Sequence, residues 1–251
     1  MTPTFSLVVN HAPWCTDRLD VALGLCIEAA RTEVKSTLLH DIDYRSGGPN
    51  AKDKPVLFTI NQWKWAAQQP VTHHVFMTDD LELAPGFWKI LSAMVQAAPY
   101  DVIGLLSNHP NAPDLARAGY HWYRTNAWVV GPCYVVPHEA MLDLADWAER
   151  RWPEETWDKL GWSDDSELNE WISKRSPRKQ SLHPIPTPIE HDRGRSTWSH
   201  TGHGDEYSHE RVSWASKEGQ LALADSPLTM RSLEFWMAHG GPQESPMMGL
   251  P

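Results

Sequence analysis

The feature that most constrains the fold is an alternation of short apolar runs with segments of helical periodicity. Phe5–Val9 is typical of a buried strand, and Leu19–Ala30 is typical of a helix capped by Asp17. Thr37–Ile42 is the next strand of this βαβ unit. The helix is identified by apolar residues at helical spacing, namely Leu19, Leu23, Cys26, Ile27 and Ala30.

The alternation continues along the chain and predicts an α/β fold with a mainly parallel central sheet flanked by helices. The further segments, in order, are a helix around 63–69, a strand at His74–Met77, a helix at Gly86–Ala97, strands at Val102–Leu106 and Ala127–Val136, and a helix at Glu139–Arg150. From about Lys174 the composition becomes polar, so we expect the sheet to be complete before that point. We assign 1–239 to one domain, and 240–251, rich in Gly, Pro and Met, to a flexible tail.

Charge and cysteine content exclude several classes of protein. Lys and Arg number 22 and Asp and Glu 32, and the net charge of −10 opposes non-specific binding to nucleic-acid phosphates. No apolar run reaches the roughly 18 residues of a membrane span, and with no signal-peptide pattern we expect a cytoplasmic protein. The three cysteines are odd in number and far apart, which excludes a disulfide scaffold and a cysteine-ligated zinc site.

Polar residues follow three of the predicted strands, where open α/β sheets bind their ligands. They are Asn10 and His11, Asp41 and Asp43, and the adjacent pair Asp79 and Asp80. Two adjacent carboxylates repel each other unless a cation is shared, and the sequence shows no obvious balancing cation beside Asp79 and Asp80. A divalent metal would supply that charge. The alternative is that both are solvated turn residues.

The segment from His74 to Phe87, in which a strand runs into Thr78-Asp79-Asp80 and then Pro85-Gly86-Phe87, resembles the nucleotide-sugar-dependent glycosyltransferases of the GT-A fold. The resemblance extends to small phage and bacterial members and covers roughly residues 5 to 200. In that family a DxD-like motif binds Mn²⁺ or Mg²⁺ together with the donor diphosphate. Thr78 departs from a strict DxD motif. The resemblance implies that Asp80 contacts the metal, with Asp79 near the donor ribose or reaching the metal through water.

The family also places an acidic pair at the start of a helix facing the acceptor, where one carboxylate can be the general base. Asp164 and Asp165 match that pair, with Asp165 slightly favoured. From the residues alone, Asp164 with Glu167 is a capping box, opening a helix with Leu168, Trp171 and Ile172 inward. Both roles remain open at this point.

A final matching segment runs from His191 to Ser196 and is similar to the family's His-x-x-Gly-x-Ser pattern. The resemblance implies that His191 completes the metal shell. It also implies that the loop contacts the diphosphate through Arg193, Arg195 and Ser196. At the donor end, it implies that two strand ends hold the base and ribose, the first through Asn10, His11 and Arg18 and the second through Asp41 or Asp43. From the residues alone, a turn residue is an equal alternative for either Asp.

Together with the resemblance, these patterns predict a metal-dependent glycosyltransferase that moves a sugar from a nucleoside-diphosphate sugar to an acceptor hydroxyl. The resemblance to small phage and bacterial members implies two candidate acceptors, a modified DNA base, such as one in hydroxymethylated DNA, and a surface glycan. One alternative is a metal-dependent nucleotidyltransferase or hydrolase, which would also use clustered carboxylates. Another is a non-catalytic carbohydrate-binding protein that uses some of its 14 tryptophans as platforms.

Overall fold

The computed structural model describes residues 2–13, 16–40, 55–106, 122–125, 133–152 and 164–191. The helices in these ranges are α1 (Leu19–Arg31), α2 (Pro55–Ala67), α3 (Phe87–Ala97), α4 (His138–Arg151) and α5 (Asp164–Lys174). The strands are β1 (Phe5–His11), β2 (Lys35–His40), β3 (His73–Thr78), β4 (Leu81–Leu83), β5 (Ile103–Gly104), β6 (Trp122–Thr125), β7 (Cys133–Pro137), β8 (Ser181–Pro184) and β9 (Ile189–His191). None of these helices is long and apolar enough to cross a membrane.

Seven of the described strands form the central sheet, in the order β2-β1-β3-β7-β5-β8-β6. Strands β2, β1, β3, β5 and β8 run in one direction, whereas β7 and β6 run in the other. Strands β4 and β9 form a separate antiparallel pair. The predicted α/β class with a mainly parallel, helix-flanked sheet is confirmed.

Each face of the sheet packs against helices, because successive side chains of a strand point to opposite faces. Leu7 and Val9 of β1 join the cluster that includes Leu25 of α1 and Leu91 of α3. Val8, between them, joins the opposite cluster, which includes residues of α2, α4 and α5 such as Trp63, Met141 and Trp171. Burial on both faces explains why the strands are continuous apolar runs in the sequence.

The predicted helix after β1 is present, but the face that it buries is not the one that the apolar pattern predicts. Ala22, Leu25 and Ala29 are buried, whereas Leu19, Leu23 and Ile27 are exposed. Both rows have helical spacing, so periodicity alone does not choose between them. The predicted Asp17 cap is wrong, because α1 begins after Arg18 with no side-chain cap hydrogen bond, and Asp17 lies in a preceding 3-10 turn.

The expectation that the sheet ends before Lys174 is also wrong, because β8 lies in the central sheet between β5 and β6. The misleading feature is the polar composition of Ser181–Pro184. Ser181 Oγ lies 2.9 Å from His183 Nε2, and the His183 ring stacks on Tyr123 at 4.9 Å between centroids. Pairing and stacking let these polar side chains lie buried, so polarity here does not indicate a loop.

Candidate functional site

The site forms at the edge of the sheet where β1 and β3 end side by side. These strands are parallel, with Asn10 opposite Thr78, so the residues that follow each strand meet at one edge. His11, Asp79 and Asp80 are all buried there. The sequence-based expectation that these strand ends converge is confirmed for β1 and β3.

Asp79 is held by the end of β1. Its Oδ2 lies 2.7 Å from His11 Nδ1 and accepts a hydrogen bond from the Ala12 backbone N–H at 2.9 Å. A carboxylate oxygen can only accept, so His11 donates from Nδ1. With 3% of its surface exposed, Asp79 is held in place by protein groups at the end of β1.

Arg18 supplies the balancing cation that the sequence does not reveal beside the acidic pair. Its Nη1 lies 2.9 Å from Asp80 Oδ2 and 3.5 Å from Asp79 Oδ1. Thr78 Oγ1 donates to the other oxygen of Asp80, Oδ1, at 2.6 Å. The premise of an unbalanced pair is therefore wrong. Arg18 is distant in sequence and reaches the carboxylates because α1 starts directly beyond β1.

The acidic pair fits a divalent cation by its donor chemistry. Carboxylate oxygens suit Mg²⁺ and Mn²⁺, and Mg²⁺ is usually bound by one or two carboxylates together with substrate phosphates and water. This pair already holds a guanidinium cation. Among the described residues no group of three or more His, Cys, Asp or Glu side chains is arranged for a metal.

A second carboxylate, Asp164 at the start of α5, is connected to the same edge through α2. Asn10 Nδ2 donates to Gln62 Oε1 at 3.0 Å, and Gln62 Nε2 donates to Asp164 Oδ2 at 3.4 Å. Tyr134 of β7 donates from its hydroxyl to the same oxygen at 3.1 Å, and accepts from Trp63 Nε1 at 3.1 Å. These contacts form one continuous chain from β1 to the first residue of α5.

Burial, and secondarily the adjacent charge of Asp165, raises the pKa of Asp164 from 3.8 to about 7. Hydrogen bonds from Gln62 and Tyr134 oppose this rise in pKa. A carboxylate with a pKa near neutrality is suited to general-base chemistry. The surroundings therefore favour Asp164 for that role over Asp165, whose Oδ1 accepts a hydrogen bond from the Ser166 backbone N–H at 2.7 Å.

The predicted inward face of α5 is confirmed, because Leu168, Trp171 and Ile172 are buried. The capping box is not formed. Glu167 is buried and its Oε2 lies 3.4 Å from Arg151 Nε on α4, which draws the carboxylate toward that helix.

The structure thus brings together Asn10, His11, Arg18, Asp79 and Asp80, and connects them to Asp164. Gln62 and Tyr134 were not predicted, because a polar residue inside a helix or strand carries no motif. A usable signal is the position of Gln62 on α2, beside Trp63 and four residues before Ala66, because helical spacing then predicts that it faces inward. His191 pairs through its backbone with Leu81, next to Asp80. The side chain of His191 lies outside the described part of the chain, as do Asp41, Asp43, Arg193, Arg195 and Ser196.

No protein-family model matches this chain, and no curated protein sequence matches it. Among solved structures it is similar to a glycosyltransferase involved in glycosylation of the major capsid of PBCV-1. That match has 14% identity and a TM-score of 0.42, and covers 77% of this chain and 95% of the other. It is also similar to mannose-1-phosphate geranyltransferase from Thermus thermophilus, with 13% identity, a TM-score of 0.40 and coverage of 76% of each chain. Both TM-scores are below 0.5.

Proposed function

We propose that the chain is a glycosyltransferase that moves a sugar from a nucleoside-diphosphate sugar to an acceptor hydroxyl, with Asp164 as the general base. The observation that carries the proposal is the position of Asp164. It is a carboxyl group with its pKa near 7, connected by Gln62 and Asn10 to the edge that holds Asp79 and Asp80.

In the proposed reaction Asp164 takes the proton of the acceptor hydroxyl as its oxygen attacks the anomeric carbon. The bond between that carbon and the diphosphate oxygen breaks, and the electron pair leaves with the nucleoside diphosphate. Gln62 and Tyr134 orient Asp164 Oδ2 and stabilise its charged form. Asp164 is thereby a catalytic residue, and Gln62 and Tyr134 are positioning residues.

Asp79 and Asp80 would hold Mn²⁺ or Mg²⁺, which would neutralise charge on the departing diphosphate. His11 and Ala12 fix Asp79, and Thr78 fixes Asp80, so both carboxylates are oriented before the donor binds. Such preorganisation avoids a reorganisation cost during the reaction. By resemblance, His191, Arg193, Arg195 and Ser196 would serve the metal and the phosphates, and Asp41 and Asp43 the base and ribose.

The candidate acceptors remain a hydroxymethylated DNA base and a surface glycan. The net charge of −10 favours an acceptor that makes few phosphate contacts.

The test is release of nucleoside diphosphate from a panel of nucleotide sugars, measured by chromatography with Mn²⁺, with Mg²⁺ and with EDTA. We expect Asp164→Asn to lower turnover by about 100-fold or more, with donor affinity little changed. Asp165→Asn is the matched control, since it keeps Asp164 as the proposed base. Its turnover should fall far less than that of Asp164→Asn. The opposite ranking would move the general base to Asp165. Pyrophosphate release from nucleoside triphosphates, with every nucleotide sugar inert, would replace the proposal with nucleotidyl transfer.

A further inference from the structure

Arg18 forms its ion pairs with the two carboxylates that the proposed function assigns to the divalent metal. Its side chain is buried, with Nη1 2.9 Å from Asp80 Oδ2 and 3.5 Å from Asp79 Oδ1. A divalent cation that uses Asp80 Oδ2 would compete with the guanidinium for the same oxygen. Two cations that share one carboxylate oxygen repel each other, and the repulsion is stronger in a buried site than in water, so a divalent cation bound to that oxygen would displace the guanidinium.

The acidic pair is held without Arg18. Thr78 Oγ1 keeps Asp80 oriented through Oδ1, and His11 and the Ala12 N–H keep Asp79 oriented through Oδ2. Arg18 therefore provides charge balance at two carboxylates whose positions other groups already determine. Its departure would leave a preformed pair of oxygen ligands.

We propose that Arg18 is an exchangeable cation of this site. Arg18 neutralises Asp79 and Asp80 when no substrate is bound, and it releases Asp80 when a divalent cation binds with the nucleoside diphosphate. The released guanidinium then pairs with a phosphate oxygen of the donor, for which its planar set of N–H donors is well suited. This inference rests on the proposed function in placing a divalent cation at Asp79 and Asp80 and in naming the nucleoside diphosphate as the ligand.

The charges at this edge favour movement of Arg18 from Asp80 to the phosphate when the metal and the donor bind. Among the described residues, the two carboxylates face one guanidinium, and the excess negative charge of this group repels a diphosphate. A divalent cation reverses that sign, and a guanidinium freed from Asp80 adds a positive charge to the phosphate side. The metal and Arg18 thereby act together on the diphosphate, although they compete for Asp80.

The first test uses Mn²⁺ alone, titrated into the full chain and followed by electron paramagnetic resonance of the free ion. Arg18→Met removes the competing cation, and we expect Mn²⁺ affinity to rise by about tenfold. Arg18→Lys keeps the charge and should give a smaller increase. Arg31→Met, at the exposed far end of α1, is the matched control and should leave the affinity unchanged. Equal or weaker Mn²⁺ binding by folded Arg18→Met would overturn the exchange.

The second test measures the affinity for ADP, GDP, CDP and UDP at saturating Mn²⁺. We expect Arg18→Met to weaken binding of the preferred nucleotide by about tenfold, since a charge-assisted phosphate contact is lost. Unchanged affinity would show that Arg18 does not move to the phosphate, against the proposal. The pairing of tighter metal binding with weaker nucleotide binding is a signature that a merely structural arginine would not give.

If Arg18→Met fails to fold, a measurement on the wild-type protein tests whether Arg18 exchanges with the metal. The Nε resonance of Arg18, assigned by its absence from the Arg18→Lys spectrum, is followed during a Mg²⁺ titration with and without nucleotide. A saturable shift supports the exchange, and a resonance unmoved at saturating Mg²⁺ and nucleotide contradicts it. Tighter Mn²⁺ binding by Arg18→Met in a protein that turns over no nucleotide sugar would support the exchange while refuting the proposed function.

Discussion

The hydroxyl of Tyr134, on the interior strand β7, donates a hydrogen bond of 3.1 Å to Asp164 Oδ2 at the first residue of α5. Burial raises the pKa of the Tyr134 hydroxyl well above its ordinary value, so it remains a donor over the working pH range. The core of the sheet thus acts directly on the proposed general base.

Tyr134→Phe should raise the pKa of Asp164 further, because the mutation removes a hydrogen bond that favours the charged carboxylate. The ascending limb of the pH–rate profile for kcat/KM should move to higher pH, with donor affinity little changed. Tyr123→Phe, at a buried tyrosine on β6, is the control and should leave the limb in place. A profile unmoved in Tyr134→Phe would show that this hydrogen bond does not tune the base.

Asp164 should also make the stability of the protein pH-dependent. Its pKa is higher in the folded state, about 7, than the ordinary 3.8, so between these values the folded state binds more protons than the unfolded state. The contribution of Asp164 to stability is therefore greatest below about pH 4 and declines as pH rises to about 7. Urea unfolding of wild type and Asp164→Asn should show the difference shifting in favour of the variant over this range. The exposed Asp20→Asn is the control, and a pH-independent difference for Asp164→Asn would contradict the raised pKa.

Gly104 of β5 should not tolerate a side chain. A Cβ at this position would lie 2.2 Å from His183 Cε1 and 2.7 Å from His183 Nδ1, in the stacked pair with Tyr123. Gly104→Ala should lower the free energy of unfolding by about 2 kcal/mol or more, since the overpacked ring cannot shift freely. Gly24→Ala on α1 is the contrast, because its Cβ meets nothing within 4 Å, and a helix-interior Ala should stabilise by about 0.5 kcal/mol. Urea unfolding measures both, and equal effects would contradict this packing.

Breaking the buried ion pair of Arg124 and Asp101 should lower the free energy of unfolding far more than breaking an exposed ion pair. Arg124 Nη1 donates to Asp101 Oδ1 at 2.6 Å and Nη2 to Oδ2 at 3.3 Å, and both residues are buried. Arg124→Met should cost about 3 kcal/mol of unfolding free energy, because it leaves a buried carboxylate without its main partner. Arg150→Met, which breaks the exposed pair with Asp146, should cost at most about 0.5 kcal/mol. Comparable losses of unfolding free energy in the two variants would contradict the prediction that burial makes the Arg124–Asp101 pair the more important one.

The sequence predicts the elements of this fold better than their faces. The apolar runs of β1 and β3 are unambiguous because both faces of each strand are buried. The buried face of α1 is not predictable, since two rows of apolar residues compete and the tertiary packing selects Ala22, Leu25 and Ala29. Strand β8 is missed because its polar residues are buried by pairing with one another.

At the candidate site, the sequence identifies groups that follow strands, and it misses groups that reach them from elsewhere. Asn10, His11, Asp79 and Asp80 are found from the order of strands and polar residues. The contact of Arg18 with Asp80 depends on how α1 is placed after β1, and the hydrogen bonds of Gln62 and Tyr134 to Asp164 depend on long-range packing. Spacing along the chain carries no information about such contacts.

The central claim is that Asp164 is a general base with a pKa near neutrality, and the pH dependence of kcat/KM for the preferred nucleotide sugar tests it most directly. Wild type should show an ascending limb with its midpoint near pH 7, and Asp164→Asn should lose both the limb and about 100-fold or more of the activity. A wild-type midpoint near pH 4, or an Asp164→Asn variant that keeps the wild-type rate and profile, would contradict the account.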